Sequence, residues 1–364
     1  MTTVTRQAPS KPVLVYETDG INPYGVELAR TVADIFSDVT LALPVDARRV
    51  KAHVSFRITY CLPGNTPRPK YRQVLSLLRG LLVLLTAVVR RQRLVVSWTR
   101  TTVEDLLLAA AARLGADVAI VQHNVDFRGN PSALRRWARG KLLAGKATVI
   151  THAPSTASAL EEKWGRSVVV AAHPLYDWWV TEYIAPLPPR TTDEVFRVLF
   201  LGAIRADKGL GELVGILCQM PAETRARTVL RCSGPGGLPD DLRGQLTAAS
   251  VRTEEPAGPG FVPDADIAAA IHESDVCAAA YLEVSQSGSV ALALSAGLPV
   301  VAYDSGGLRE LLDQRFLVPV GEKPAFAAVL TDLATTASGP TSTLRMSPED
   351  WRADVTQGWR VALS

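Results

Sequence analysis

The chain has 364 residues, of which 47% are hydrophobic, 21% charged and 6% aromatic, a composition that is typical of folded globular proteins and excludes a disordered chain. Its length predicts two domains, each with its own core. Residues 1–185 carry 24 Lys and Arg against 14 Asp and Glu, whereas residues 186–364 carry 15 against 22. A basic half joined to an acidic half predicts an anionic partner for the N-terminal domain.

The cysteines and the N-terminus indicate the compartment. Cys61, Cys218, Cys232 and Cys277 include no closely spaced pair, so we expect neither a disulfide framework nor a zinc site, and a reducing environment. The first ten residues are polar and lack a basic stretch followed by an apolar one, so they do not resemble a secretory signal. We expect a loose tail on a cytoplasmic protein.

Apolar, β-branched runs of strand length alternate with helical segments along both halves. In the first half the predicted strands are 13–17, 39–45, 94–98, 117–124, 147–152 and 168–174, and the predicted helices are 26–36, 102–114, 131–144 and 156–164. After the proline-rich segment Ile184–Arg190 the predicted strands are 195–203, 227–234, 251–255, 275–281 and 298–304, with helices at 210–219, 239–249, 265–273 and 288–296. This alternation predicts two doubly wound α/β domains, whose ligands bind at the carboxyl ends of the strands.

The segment Tyr71–Arg93 is strongly apolar between two basic ends. Arg79 and Gly80 interrupt it, and the remaining run Leu81–Val89 is shorter than the roughly 20 residues that span a bilayer, so we expect no integral insertion. Two interpretations stay open: a helix lying in the membrane interface, and a buried domain helix with charged ends. In the first, the basic residues lie near lipid headgroups, namely Arg72, Arg79, Arg90, Arg91 and Arg93.

Two segments of the second half have the chemistry of a phosphate site. In FLGAIRADKGL a strand ends at Gly202, and a turn with Arg205 and Lys208 leads into a helix, so the two cations can clamp a diphosphate. In SQSGS, the backbone N–H groups of Ser287–Ser289 lie in the first turn of the next helix, where phosphate is favoured. The alternatives are an exposed turn with two solvated cations and an ordinary helix capped by serine.

At these residues the chain resembles the family-4 retaining glycosyltransferases of the GT-B fold. FLGAIRADKGL matches their strand–Gly–x–x–Arg–x–x–Lys–Gly turn, and SGSVALALSAGLPVVAYDSGGLREL matches their C-terminal block of helix, Pro-Val-Val strand and Gly-Gly loop. The loop INPYGVELA, the strand end VQHN, the turn HPLY and the last helix with Trp351 extend the similarity over nearly the whole chain. Within the family the chain is most similar to members that assemble polysaccharides and glycolipids.

The resemblance implies an α/β protein of the GT-B fold, in which two Rossmann-like domains face each other across a cleft. It implies an acceptor-binding domain over residues 1–185, a nucleotide-sugar-binding domain over 186–340 and, over 341–364, a C-terminal helix that packs back toward the first domain. The implied donor-binding residues are Gly202, Arg205, Lys208, Glu283, Ser285, Gln286, Ser287, Gly288 and Ser289.

The resemblance also assigns catalysis to His123, Arg205 and Lys208. His123 follows the strand DVAIVQ and is expected beside the donor sugar and the reacting centre; by its sequence alone it is more often a hydrogen-bonded loop residue. His152, at the next strand end, is a further candidate for contact with donor or acceptor, whereas His173 is assigned to the crossover turn. The loop after the first strand is expected to approach the diphosphate and the acceptor, or to be a plain turn, and contains Gly20, Asn22, Tyr24 and Gly25.

The chain departs from the family pattern at two positions. Most members have two glutamates, eight positions apart, that contact the donor sugar and the ribose, and counting back from Gly297 places Val284 and Leu292 there. Glu283 is the expected substitute if the turn shifts by one residue. Asp264 and Asp266 have the spacing of a metal site, but we interpret them as an N-cap and a first-turn carboxylate of a helix, and expect neither a metal nor a cofactor.

These inferences predict an enzyme that transfers a sugar, as a hexosyltransferase does, from a nucleoside diphosphate sugar to a hydroxyl acceptor that is a glycan or is linked to a lipid, with retention. The alternatives are a GT-B sugar-nucleotide epimerase and a catalytically silent partner subunit that only binds nucleotide. An anionic membrane surface is a further expected partner, with peripheral attachment to the inner membrane face. Nucleic acid is not expected, because the basic residues lack interleaved aromatics.

Overall fold

The computed structural model describes residues 11–20, 22–47, 49–51, 53–64, 69–126, 131–189, 194–205, 208–255, 260–336 and 342–364. They form two compact units. Unit 1 comprises the described residues up to Pro174 together with Arg352–Ser364, and unit 2 comprises the described part of Leu175–Trp351. The sequence placed its divisions after residues 185 and 340. The last helix, α14 (Pro348–Ala362), begins in unit 2 and belongs to unit 1 from Arg352 onward.

Unit 1 is built on a parallel sheet of seven strands in its described part. The strands are β1 (Val13–Glu17), β2 (Val39–Pro44), β3 (Arg57–Leu62), β4 (Arg93–Trp98), β5 (Val118–Val121), β6 (Thr148–Thr151) and β7 (Val169–Val170), in the order β3-β2-β1-β4-β5-β6-β7. The helices are α1 (Tyr24–Ala33), α2 (Lys70–Val89), α3 (Thr102–Arg113), α4 (Ala133–Leu143) and α5 (Pro154–Trp164). Leu14, Val96 and Ile120 are fully or nearly fully buried in the core that strands and helices share.

Unit 2 repeats this plan with a parallel sheet of six described strands. They are β8 (Phe196–Leu201), β9 (Thr228–Ser233), β10 (Arg252–Glu254), β11 (Val276–Ala279), β12 (Val300–Tyr303) and β13 (Leu317–Val318), in the order β10-β9-β8-β11-β12-β13. The helices before α14 are α6 (Asp177–Trp179), which continues as a π-helical turn over Val180–Ile184, then α7 (Leu210–Gln219), α8 (Ala222–Arg227), α9 (Asp240–Ala248), α10 (Asp264–His272), α11 (Gly288–Ser295), α12 (Leu308–Leu311) and α13 (Lys323–Thr335).

Strand order reverses beside the first strand of each unit, between β1 and β4 and between β8 and β11. In doubly wound sheets the loops at such a switch point diverge and leave room for a ligand at the carboxyl edge. The loops after β1, β4, β8 and β11 are therefore the places where each unit can bind a ligand. Two parallel, doubly wound α/β units confirm the predicted fold class.

Three strands differ from the sequence prediction, and one of them is the two-residue strand β13, which was not predicted. The structure adds β3, which the search for apolar runs missed because it is an edge strand with alternating polar residues, of which only Leu62 is fully buried. The predicted strand 168–174 is reduced to Val169–Val170. Its sheet pairing ends where the Ala171 N–H donates to Thr151 O, and Pro174 further along has no N–H to donate.

Candidate active site

The carboxyl edge of unit 1 carries a cluster of aromatic rings. His123 follows β5, and its ring lies edge-on to Tyr24 at 4.9 Å between centroids and 5.4 Å from the indole of Trp98. His152 follows β6 and lies 5.5 Å from His123 and 5.0 Å from His173. Trp359 of α14 packs on His152 at 6.0 Å. The structure thus brings together His123, His152 and Tyr24, which the sequence placed separately in three loops after strands.

Hydrogen bonds fix the protonation state of His152. Its Nδ1 lies 2.7 Å from the carbonyl oxygen of Ala171, which can only accept, so Nδ1 carries the hydrogen. Its Nε2 is therefore the acceptor, and the Tyr24 hydroxyl donates to it across 2.7 Å. Complete burial, followed by the nearby His173 and His123, holds the pKa of His152 well below its usual value. This neutral imidazole orients the Tyr24 hydroxyl.

The three histidines differ in exposure. His152 and His173 are buried, and burial lowers the pKa of His173 to about 4 although its Nδ1 donates to Pro174 O. His123 is half-buried. It is therefore the histidine of this cluster that a bound substrate can reach. His152 packs against His123 on its buried side, and His173 packs against His152.

The loop after β1 is built over a buried acid. Tyr24 N–H donates to Asn22 Oδ1 at 3.0 Å, and the α-carbon of Gly25 lies so close to Glu17 that a Cβ there would be 2.5 Å from its side chain. Gly20 packs on Pro44 and Ala47. Glu17, which sequence analysis did not single out, accepts from Ser97 Oγ at 2.5 Å, and its burial raises its pKa to about 7.

In unit 2 the turn after β8 packs closely against the residues that follow β11. Gly209 has φ +67°, and a Cβ there would lie 2.0 Å from the Ala280 oxygen, so this position accepts only glycine. Lys208 is half-buried, with its Nζ 4.7 Å from the centre of the Tyr281 ring, a cation–π contact that orients the ammonium. Arg205 is exposed, and its carbonyl accepts from Lys208 N–H at 3.0 Å.

The start of α11 adds backbone donors to this edge. Ser287 is the N-cap, and its Oγ accepts from Val290 N–H at 3.3 Å, which leaves the amides of Gly288 and Ser289 as the first donors of the helix. A Cβ at Gly202 would lie 3.2 Å from Ser289 Oγ, so the end of β8 and the start of α11 are adjacent. The predicted donor residues therefore converge from two loops on the switch point of unit 2.

A third loop holds the α11 start in place. Gly306, with φ +52°, approaches so closely that a Cβ would lie 1.6 Å from Val284 O, and Gly307 N–H donates to Ser285 O at 3.1 Å. Gln286 is half-buried in the same loop. Because glycines fix the backbone here, the first amides of α11 are preorganised to receive an anion such as a diphosphate.

Comparison with known proteins identifies this second unit. Residues 195–336 match the family model described as glycosyl transferases group 1, and this range contains the whole Gly202–Gly307 constellation. Unit 2 is thus similar in sequence to the group 1 glycosyltransferases. No curated protein matches the chain by sequence.

The whole chain shares the fold of known GT-B structures. HepE of Anabaena in complex with UDP is 18% identical with a TM-score of 0.61, and the similarity covers 97% of each chain. WaaG, a glycosyltransferase involved in lipopolysaccharide biosynthesis, is 13% identical with a TM-score of 0.56 over 95% of this chain and 94% of its own. A Listeria monocytogenes protein assigned as a UDP-N-acetylglucosamine 2-epimerase is 13% identical with a TM-score of 0.51 over 95% and 91%. The predictions of a GT-B fold and of a glycosyltransferase are confirmed.

The glycosyltransferase domain keeps the departure seen in its sequence. Val284 and Leu292 are both buried, so the positions where most family-4 members have glutamates belong to its apolar interior. Glu283 beside them is exposed, not buried, which leaves its carboxylate available to a ligand. Membership of family 4 and the role of Glu283 stay predictions.

The aspartate pair before α10 has a structural role in the glycosyltransferase. The predicted N-cap was wrong, because Pro263 occupies that position and both Asp264 and Asp266 lie in the first turn. Asp264 is buried, and its Oδ1 accepts from Trp179 Nε1 at 2.8 Å. Among the described residues no group of three His, Cys, Asp or Glu side chains is arranged to hold a metal.

Proposed function

We propose that the protein transfers a sugar from a nucleoside diphosphate sugar to a hydroxyl acceptor that is a glycan or is linked to a lipid, with retention at the anomeric carbon. The observation that carries this proposal is the close approach of Gly202 to Ser289, where the end of β8 meets the first turn of α11. HepE binds UDP and UDP-glucose on the same fold, so UDP sugars are the donors to test first.

The hard step is departure of the nucleoside diphosphate, because negative charge accumulates on it as the glycosidic bond breaks. Arg205 and Lys208 supply positive charge, and the Gly288 and Ser289 amides donate hydrogen bonds, so this edge stabilises the leaving group. Ser285 and Gln286 border the same loop. In this proposal the exposed Glu283 contacts the donor sugar, taking the place of the glutamate that Val284 replaces.

Unit 1 contributes the acceptor side and His123. His123 acts at the reacting centre, and the loop with Gly20, Asn22, Tyr24 and Gly25 borders donor diphosphate and acceptor. The tautomer of His152 makes Tyr24 a donor toward that histidine, and this bond fixes the Tyr24 ring against the ring of His123. His152 is then a residue that positions Tyr24 and does not contact the substrate.

The experiment is turnover of a panel of nucleoside diphosphate sugars, UDP sugars first, with and without glycan and lipid-linked acceptors. Acceptor-dependent release of nucleoside diphosphate, with a matching gain in acceptor mass, supports the proposal, and NMR of the product decides retention. Isomerised sugar formed without acceptor would establish the epimerase alternative. Donor binding without turnover under every acceptor would establish the silent subunit.

We also propose that α2 attaches unit 1 to an anionic membrane surface. Tyr71–Val89 is, within the described part of the chain, the one helix long and apolar enough to cross a membrane, with mean hydropathy 1.7 and 22% of it buried. Its exposed apolar side chains recur at helical spacing on one face: Tyr71, Val74, Leu75, Leu78, Leu82, Leu85 and Val89. The opposite face, with Gly80 and Leu84, packs against the unit 1 sheet, which favours a helix lying in the interface.

The basic residues of α2 fit the same orientation. Arg72, Arg79 and Arg90 are exposed and spaced to lie along one flank of the apolar face, where lipid headgroups would be. Arg93 was wrongly included among the headgroup residues. It lies in β4, with its Nε 2.7 Å from Asp117 Oδ2 and a further bond to Leu363 O, so it stabilises unit 1.

Co-sedimentation with anionic liposomes tests this attachment. Replacing Arg72, Arg79 and Arg90 by Gln should weaken binding roughly a hundredfold at low salt, since each cation contributes about 1 kcal/mol near an anionic leaflet. The matched control replaces the exposed cations Arg113, Arg136 and Lys141, which lie on α3 and α4. Equal losses in both triple variants, or no binding by the parent protein at low ionic strength, would refute a role for α2.

A further inference from the structure

A cavity of about 340 Å³ opens at the carboxyl edge of unit 1, beside His123. Its lining comes from the ends of β4 and β5 and from the start of α4, and three of its side chains are the arginines Arg100, Arg135 and Arg139. Its volume is that of a small-molecule site. None of these arginines was singled out in the sequence, because Arg135 and Arg139 look like ordinary cations of an amphipathic helix.

Two of the arginines are held side by side at the base of the cavity. Arg135 and Arg139 are one turn apart on α4, and both converge on Thr99. Arg135 Nη2 donates to Thr99 O at 2.9 Å, and Arg139 donates to Thr99 Oγ1. The proximity of Arg135 contributes to lowering the pKa of Arg139, after burial. Like charges at this spacing repel each other, and the buried Asp105, 3.4 Å from Arg139, offsets part of that repulsion.

The neighbouring carboxylates are already engaged by other donors. Asp105, fully buried, accepts from Thr99 Oγ1 at 2.6 Å and lies 3.4 Å from Arg139. Asp126 pairs with Lys163. Glu104 accepts from the Tyr16 hydroxyl and from the backbone of Arg100 and Thr101. Lys163 balances Asp126, so the charges that face the three arginines are those of Asp105 and Glu104, and the cavity keeps an excess of positive charge.

Arg100 and Arg135 are the two arginines best placed for a ligand. Both are half-buried, whereas Arg139 is buried in its pair with Asp105. Arg100 Nη1 donates to Gly64 O at 3.3 Å. Trp98, 38% exposed, supplies an apolar ring face to the same cavity next to His123.

We propose that this cavity binds the acceptor and recognises a phosphate group on it through Arg100 and Arg135, with the acceptor hydroxyl directed toward His123. The proposal rests on the glycosyl transfer proposed above and narrows its acceptor class to phosphate esters. Guanidinium groups bind phosphate through paired hydrogen bonds, and Trp98 packs against the organic part. The phosphate can belong to a lipid-linked sugar or to a soluble sugar phosphate.

Calorimetric titration tests the cavity apart from the donor site. The full chain carrying Arg205→Ala and Lys208→Ala removes the proposed donor cations, and the probes are inorganic phosphate, glucose 6-phosphate and glucose. Phosphatidylcholine vesicles containing polyprenyl phosphate form a second arm, which separates a lipid source from a soluble one. We expect glucose 6-phosphate or polyprenyl phosphate to bind this protein and glucose not to bind.

Arg135→Gln in that background should weaken the binding about ten- to a hundredfold, because one charge-assisted contact is lost. Gln keeps a hydrogen-bonding side chain at this position without the charge, and Arg100→Gln should act in the same direction. Arg136→Gln, an exposed neighbour on α4, is the matched control. Circular dichroism and thermal unfolding of each variant verify folding.

Two results would overturn the proposal that this cavity recognises the phosphate of the acceptor. They are an unchanged affinity of Arg135→Gln for the phosphate probes, and no binding of any phosphate probe by the double variant. Neither result touches the donor assignment, which is measured by sugar-nucleotide turnover in the parent protein. Conversely, absence of turnover with every donor and acceptor would refute glycosyl transfer while leaving phosphate binding by Arg135 measurable.

Discussion

The two units share one topology and differ in what they place at its carboxyl edge. In unit 2, Gly209 and Gly306 allow the loops after β8, β11 and β12 to pack closely against one another. This edge carries the backbone amides at the start of α11 and two cations. In unit 1, the same edge holds a buried ring cluster, a half-buried His123 and an arginine-lined cavity. The shared sheet therefore determines where each unit can bind a ligand, and the loops after its strands determine which chemical groups meet that ligand.

The sharpest test of this division is His123→Ala. If unit 1 supplies the reacting centre and unit 2 the donor site, the turnover number should fall about 100- to 10,000-fold, the usual range for a positioned catalytic side chain. Donor affinity, measured by calorimetry, should stay unchanged. His53→Ala, an exposed histidine of the same unit, is the control. Turnover equal to that of the parent protein would make His123 a loop residue without a catalytic role.

Glu17→Gln tests whether the unit 1 loop rests on a buried acid. The folded-state pKa of about 7 lies above the ordinary value of 4.5, so the folded protein holds the proton more tightly, and stability is lost as pH rises from about 4.5 through 7. The shift corresponds to about 3 kcal/mol. Urea unfolding at pH 5 and pH 8 should show that loss in the parent protein and a correspondingly smaller one in Glu17→Gln. Equal pH dependence in both proteins would contradict the buried protonated state.

Arg205→Ala and Lys208→Ala address the unit 2 side of the comparison. Each removes a charge-assisted contact to phosphate, so nucleoside diphosphate affinity should fall about ten- to a hundredfold, with a parallel loss of turnover. Arg252→Ala removes an exposed cation of β10 and should change neither quantity. If all three variants bind donor equally well, the turn after β8 is an ordinary solvated loop.

Tyr24→Phe should have the smallest effect and sharpens the role of the ring cluster. It removes the donor to His152 Nε2, which should cost about 1–3 kcal/mol of unfolding free energy, because a buried acceptor is left unpaired. We expect turnover to fall about tenfold through misplacement of the loop, with donor affinity retained. The control Tyr71→Phe alters an exposed tyrosine. A loss of donor affinity with normal turnover would assign Tyr24 to the nucleotide instead.

Sequence reasoning performed differently in the two units for physical reasons. The strands β1 and β8 and the helix α7 were predicted closely, because a buried parallel strand is a continuous apolar run and a βα unit has a fixed rhythm. The Arg205–Lys208 turn was found since its residues are consecutive. The Tyr24–His152 bond and the Thr99–Arg135 contact join residues far apart in the chain, so no local pattern reports them. Nor does any local pattern report the burial of Glu17.

The passage of the chain back into unit 1 at Arg352 has a consequence for biosynthesis. Trp359, which packs on His152, and Leu363, whose carbonyl accepts from Arg93, follow the whole of unit 2 in the chain. Unit 2 is one uninterrupted stretch and can complete its fold before them, although it is synthesised after most of unit 1. Unit 1 should therefore complete its fold after unit 2, and a stop codon between Trp351 and Trp359 would leave unit 2 whole while removing the contact of Trp359 with His152.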